Sequence, residues 1–173
     1  MDLKAERIRE HLADSSRILA DLTASMVYDN PALLKSLVEV SLSSGDPHAH
    51  RAARVVTICC LEFPEMLKPV SRMIISKLEG LRSYSVLRNY LKLYAEVPVN
   101  LSAREKAILM NGCFGYLTDS KVPVAVKVFS MEILNNLSAE FPDIGRELYN
   151  IVEDQYDDGT PGFKSRARKI LRK

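Results

Sequence analysis

The chain of 173 residues has no tryptophan, three cysteines, three histidines and seven glycines. Three cysteines, two of them adjacent (Cys59 and Cys60), make no paired disulfide framework, and free thiols suit a reducing, cytoplasmic setting. No uncharged apolar run approaches the ~18 residues of a membrane-spanning helix. The opening stretch "MDLKAERIRE" is charged and lacks an apolar core, so no secretory leader is expected. An excess of one charge is missing too: 24 basic residues face 22 acidic ones, a net +2, far from the balance of a dedicated nucleic-acid binder. There is no G-x-S-x-G elbow, glycine-rich phosphate loop or H-E-x-x-H, which removes the common hydrolase, nucleotide and zinc-protease signatures. Sustained apolar–polar alternation is also lacking, so no sheet is expected.

What is present is helical spacing. With 47% hydrophobic and 27% charged residues the composition is that of a globular domain rather than a disordered chain. In "PEMLKPVSRMIISKLEG", Met66, Leu67, Val70, Met73, Ile74 and Leu78 fall on one stripe. "PALLKSLVEVSL" aligns Leu33, Leu34, Leu37 and Val40, and "PDIGRELYNIVEDQY" aligns Ile144, Leu148, Ile151 and Val152. The fold class is therefore all-α, and the length suits one domain over 1–173.

Asn30-Pro31, Asp46-Pro47 and Thr160-Pro161 each read as an N-cap followed by proline in the first turn. Ser102 and Glu105 have capping-box spacing, and Gly45, Gly80 and Gly159 stand where helices should stop. Helices are expected at about 3–13, 15–28, 31–43, 47–62, 65–79, 84–96, 102–118, 122–138, 142–157 and 161–172. They repeat: "EFPEML" at 62–67 matches "EFPDIG" at 140–145, and Pro47, Pro123 and Pro161 open a second helix type. In that second type Ala49 matches Ala125, Arg51 matches Lys127, and Ala53, Phe129 and Ala167 share a column. The unit is a helix pair, A then B, at about 11–44, 46–80, 83–119 and 121–158, with a half unit at 161–173.

"DPHAHRAA" (Asp46 to Ala53), with Arg51 at its basic position, resembles the HEAT/armadillo-type helical repeat, and "DSKVPVAVKV", with Asp119 and Lys127, is similar to it. The resemblance implies a right-handed α-α superhelix that serves as a scaffold for other macromolecules. It also implies a rival: a nucleic-acid-binding or DNA base-excision member of the alkylation-repair type. Such an enzyme needs an acid beside aromatic platforms in a basic groove. The chain has no tryptophan, and its seven tyrosines show no clustering with an aspartate.

"PHAHRAARVVTICC" (47–60) holds two histidines and two cysteines. His48 and Cys59 are three helical turns apart, ~16 Å, too far to share a metal. Adjacent Cys59 and Cys60 project about 100° apart and do not resemble a C-x-x-C pair. With Val55, Val56, Ile58 and Leu61 beside them, both read as packing groups. "NGCFG" (Asn111 to Gly115) reads as a close helix–helix approach at Gly112 and Gly115 rather than a catalytic cysteine. No catalytic residue, cofactor or metal is expected.

The B helices carry the candidate site. Four positions after the opening prolines stand Lys35, Lys68 and Arg146, pointing about 160° from the apolar stripe. The third pair, counted from Ser102, puts Ala107 there with Arg104 and Lys106 nearby; Arg72 follows Lys68 by one turn. These six residues form a candidate electropositive surface for another protein, one with an acidic segment, with nucleic acid the less favoured partner. No small-molecule substrate and no membrane span is indicated. The final "GFKSRARKILRK" places Phe163, Ala167, Ile170 and Leu171 on one face of a basic helix, which reads as the polar-faced cap of a solenoid. Contact with nucleic acid or a membrane surface is the other reading of that helix.

Overall fold

The computed structural model describes residues 9–43, 45 and 47–172. All regular structure among them is helical. The chain divides into two compact units, Met1–Asn100 and Leu101–Lys173. The part of the expected first helix before residue 9, and Asp46 of the expected Asp46-Pro47 cap, lie outside the described residues.

In the first unit α1 (Arg17–Asp29), α2 (Ala32–Leu42), α3 (Ala49–Glu62), α4 (Lys68–Ile75) and α5 (Tyr84–Glu96) follow one another. The helix at the centre is α3, packed against α1, α2 and α5. Its sequence explains the position: Ala52, Ala53, Val56, Cys59 and Cys60 are fully buried, and a helix apolar nearly all round is stable only when surrounded. Two serines on other helices reach tyrosines of α5. Ser41 and Tyr90 share a buried hydrogen bond, and one turn on Tyr94 Oη lies 3.1 Å from Ser71 Oγ and donates to the Ser71 carbonyl at 3.1 Å. Burying a tyrosine without such partners would leave its hydroxyl unsatisfied, at a cost of roughly 1–3 kcal/mol.

The expected helix 65–79 is interrupted. A 3₁₀ turn at Pro64–Met66 precedes α4, and another at Leu78–Gly80 follows it. Pro69 is the cause at the front end: it has no N–H to give back to residue 65, so the α-ladder starts afresh around it. One proposed cap also differs: Asn30 contributes only its carbonyl, to Leu33 N–H at 3.0 Å, and α3 begins two residues after Pro47. Ser16 and Ser83 cap instead, accepting from Leu19 and Val86 N–H. The signal was available, a serine just before the first apolar periodic residue.

The second unit comprises α6 (Ala103–Thr118), α7 (Val124–Leu137), α8 (Pro142–Asp154) and α9 (Pro161–Leu171). Ser102 and Glu105 close the capping box, and Thr160 caps α9 through Phe163 N–H. Leu109, Cys113 and Leu117 form the buried stripe of α6, facing α7, and Phe163, Ala167 and Ile170 bury α9 against α7 and α8. Gly159 is sterically required, because a Cβ there would meet Phe163 Cδ1 at 2.7 Å and the Gln155 and Tyr156 carbonyls at 3.1 and 3.2 Å. Gly112 and Gly115 do not mark the close helix approach expected of them. A Cβ on Gly115 would meet nothing within 4 Å, and one on Gly112 only the Tyr116 ring of the same helix. Both lie off the Leu109–Cys113–Leu117 stripe, so they flank the packed face rather than form it.

The matched basic pair, Arg51 and Lys127, has one job in two places. Arg51 Nη1 donates to the Leu12 and Ala13 carbonyls at 2.7 and 2.8 Å, at the end of the turn of helix over residues 9–11. Lys127 Nζ donates to the Leu117 carbonyl at 3.2 Å, in the last turn of α6. Those carbonyls have no intrahelical N–H to meet, and a cation there also faces the negative end of the helix dipole. Arg54 extends the arrangement to the Ser15 carbonyl at 2.8 Å, and Gln155 Nε2 joins Lys127 on Leu117 at 3.0 Å.

Candidate functional site

The six candidate cations divide by what answers them. In the first unit Lys68 and Arg72 are exposed, one helical turn apart on α4, with no ion pair among the described residues. Lys35, on the neighbouring α2, is 71% exposed and stands 4.0 Å from Glu39 of its own helix. An exposed i,i+4 pair of this kind contributes about 0.3–0.5 kcal/mol and leaves the lysine free to exchange partners. In the second unit Arg104 is exposed and makes no ion pair among the described residues. Arg146 is exposed but pairs with Asp143 three residues earlier.

Lys106 is different. Its side chain is only 20% exposed, its Nζ is 2.5 Å from Glu140 Oε2, and it lies 5.9 Å from the Phe141 ring centroid. One step along α6 from the outward position, it turns toward the residues that lead into α8 and ties the two segments together. The exposed surface of α8 itself is mainly acidic, with Asp143, Glu147, Glu153 and Asp154 beside Arg146. Of the six, only Lys68 and Arg72 are exposed cations one turn apart on one helix with no ion pair among the described residues; Lys35 lies on the neighbouring helix.

The basic residues of α9 are largely engaged within the unit. Lys164 Nζ donates to the Asp157 carbonyl at 2.8 Å and sits 5.7 Å from the Tyr156 ring. Arg168 Nε donates to Tyr156 Oη at 3.1 Å, and Arg166 pairs with Glu132 of α7, the last two both about one quarter exposed. Lys169 and Arg172 remain outward. Leu171, expected on the apolar face, is only half-buried.

The cysteines are fully buried. Burial pushes the Cys59 thiol up to about 11, and the Cys60 and Cys113 thiols to about 12, so none carries thiolate at neutral pH. Among the described residues no cluster of three or more histidine, cysteine or acidic side chains could hold a metal ion. No described helix is long and apolar enough to cross a membrane.

Sequence reasoning missed Lys77 and Arg82, which line an open cleft in the first unit together with His50. The available signal was a pair of basic residues bracketing the inter-repeat turn at Gly80.

No curated protein and no solved structure matches the chain. A family model described as HEAT repeat domain matches residues 8–173. That span includes both units and both carbonyl-clamping cations, so the resemblance seen in "DPHAHRAA" holds over nearly the whole length: the chain belongs to the HEAT repeat domain family.

Proposed function

We propose that the chain is a non-enzymatic interaction module that holds an acidic segment of another protein against the α2–α4 face of its first unit. Lys68 and Arg72 on α4 would carry that face, with Lys35 of the neighbouring α2 as a third cation. The observation that carries the reading is the contrast among the cations: Lys68 and Arg72 are exposed one turn apart and make no ion pair among the described residues, whereas Lys106 and Arg146 meet acids of their own unit and Arg104 has no second candidate cation one turn away on its helix. Membership of a repeat family that generally builds scaffolds supports the general role. The buried, protonated thiols offer no nucleophile, in keeping with binding rather than catalysis.

An acidic protein is favoured over nucleic acid because each unit has only one more basic than acidic residue. A phosphate backbone calls for an extended row of cations. The test is co-purification with nuclease treatment as a control, comparing the native chain with the Lys68→Glu/Arg72→Glu variant. The native chain retains a stoichiometric protein partner whose affinity falls as salt rises, since exposed charges are screened within about 8–10 Å at physiological ionic strength. The variant loses it. Equal recovery by both removes the α2–α4 face from consideration, and recovery abolished by nuclease assigns the partner to nucleic acid.

A further inference from the structure

We propose that the cleft between the two inter-repeat turns of the first unit is an anion-binding site for a phosphate group carried on a peptide segment. The cleft encloses about 900 Å³ and opens to solvent. That size falls within the range of ordinary ligand sites. One wall is the end of α2 and the start of α3, which present Ser43 and His50. The other is the segment from the end of α4 into α5, which presents Lys77, Gly80, Arg82 and Ser83. None of the described groups lining it is acidic.

The charge state of the walls points to the ligand. Lys77 and Arg82 are exposed and make no ion pair among the described residues, so two full positive charges face one opening. A phosphate monoester carries about −1.5 to −2 at neutral pH, which these two charges match. The arginine offers a planar fork that donates to two phosphate oxygens at once, and the lysine offers a movable point charge. Across the cleft, burial holds the His50 pKa below its ordinary value, with the charges of Arg51 and His48 adding to the effect. A single compact cluster suits one phosphate rather than the regular row of a nucleic-acid strand.

This site stands on residues of its own, so it holds or fails separately from the Lys68–Arg72 face. The measurement is an amide NMR titration of the ¹⁵N-labelled chain at fixed ionic strength. The probes are inorganic phosphate, a short serine-containing peptide, its phosphoserine form, and single-stranded oligothymidylate. Phosphate and the phosphopeptide are expected to give saturable shifts centred on residues 77–86 and around His50, and the unphosphorylated peptide none. Lys77→Gln/Arg82→Gln, which keeps the exposed positions polar and the spectrum dispersed, should weaken both by about tenfold or more. Lys68→Glu/Arg72→Glu should leave both unchanged. Shifts that never saturate, or that persist at full strength in the Lys77→Gln/Arg82→Gln variant, overturn the site. Tighter binding of the oligonucleotide than of the phosphopeptide through the same residues overturns the choice of ligand.

Discussion

The two units have the same charge balance, one extra basic residue each, and differ in which cations they leave unanswered. In the second unit Lys106 pairs with Glu140, Arg146 with Asp143 and Arg166 with Glu132, and Lys164 and Arg168 reach the Asp157 carbonyl and the Tyr156 hydroxyl, while Arg104, Lys169 and Arg172 stay outward. In the first unit Arg17, Lys35 and Lys92 make exposed pairs within their own helices and Arg51 and Arg54 hold backbone carbonyls, but Lys68, Arg72, Lys77 and Arg82 make no ion pair among the described residues. Net charge is therefore blind to function here. What distinguishes a binding surface from a solvated or self-neutralised one is whether the protein itself has answered its charges.

The comparison breaks most visibly in the second unit if its cap is removed. Phe163→Ala empties the buried contact of α9 with α7 and α8, and the expected loss is about 3–5 kcal/mol. Thermal unfolding followed by circular dichroism should show a large fall in midpoint. An unchanged midpoint would mean that α9 is not a cap.

Next in size is the clamp of the first unit. Arg51→Ala leaves the Leu12 and Ala13 carbonyls without their charged donor, at about 1.5–3 kcal/mol. Urea unfolding with matched slopes measures it, and the conservative change Arg51→Lys should recover part of the loss. If alanine costs nothing, those carbonyls are served by water and the repeated basic position is incidental.

The contrast sharpens with two lysines treated alike. Lys106→Ala removes the half-buried tie to Glu140 and should cost on the order of 1 kcal/mol, whereas Lys68→Ala, exposed and without an ion pair, should stay within about 0.5 kcal/mol. Equal effects would erase the distinction between the two classes of cation.

The smallest expected effect is on the thiols. With Cys59 raised to about 11 and Cys60 and Cys113 to about 12 by burial, the thiolate population is negligible at pH 8 and grows only as pH approaches those values. Iodoacetamide at pH 8 should leave the native chain unmodified in intact mass while labelling all three cysteines in denaturant. Rapid native labelling of Cys59 or Cys60 would place a reactive thiol where packing has been assigned.

Local features were readable from the sequence because their causes are local. The apolar stripes, the Ser102–Glu105 capping box and the Thr160 cap each depend on residues within one or two turns. The break at Pro69 was equally local, but the strong stripe from Met66 to Leu78 masked it. The candidate site was half readable. Helical angle alone puts Lys68 and Arg72 outside, and the same count put Lys106 near the surface. What it could not give was Glu140, 34 residues away, or the Leu12 and Ala13 carbonyls that occupy Arg51 from 39 and 38 residues away. Those partners are set by how helices stack, and a single sequence carries that information only weakly.

The hydroxyl pairs inside the first unit turn the absent tryptophan into an optical advantage. With no indole to mask them, the seven tyrosines dominate the near-ultraviolet spectrum. Burial drives the Tyr90 phenol well above its ordinary ionisation range, and Tyr94 is held beside it on the same helix. An alkaline absorbance titration should therefore hold back a second wave for Tyr90, which ionises only as α5 comes away from Ser41. The second wave times the opening of the first unit with no label attached.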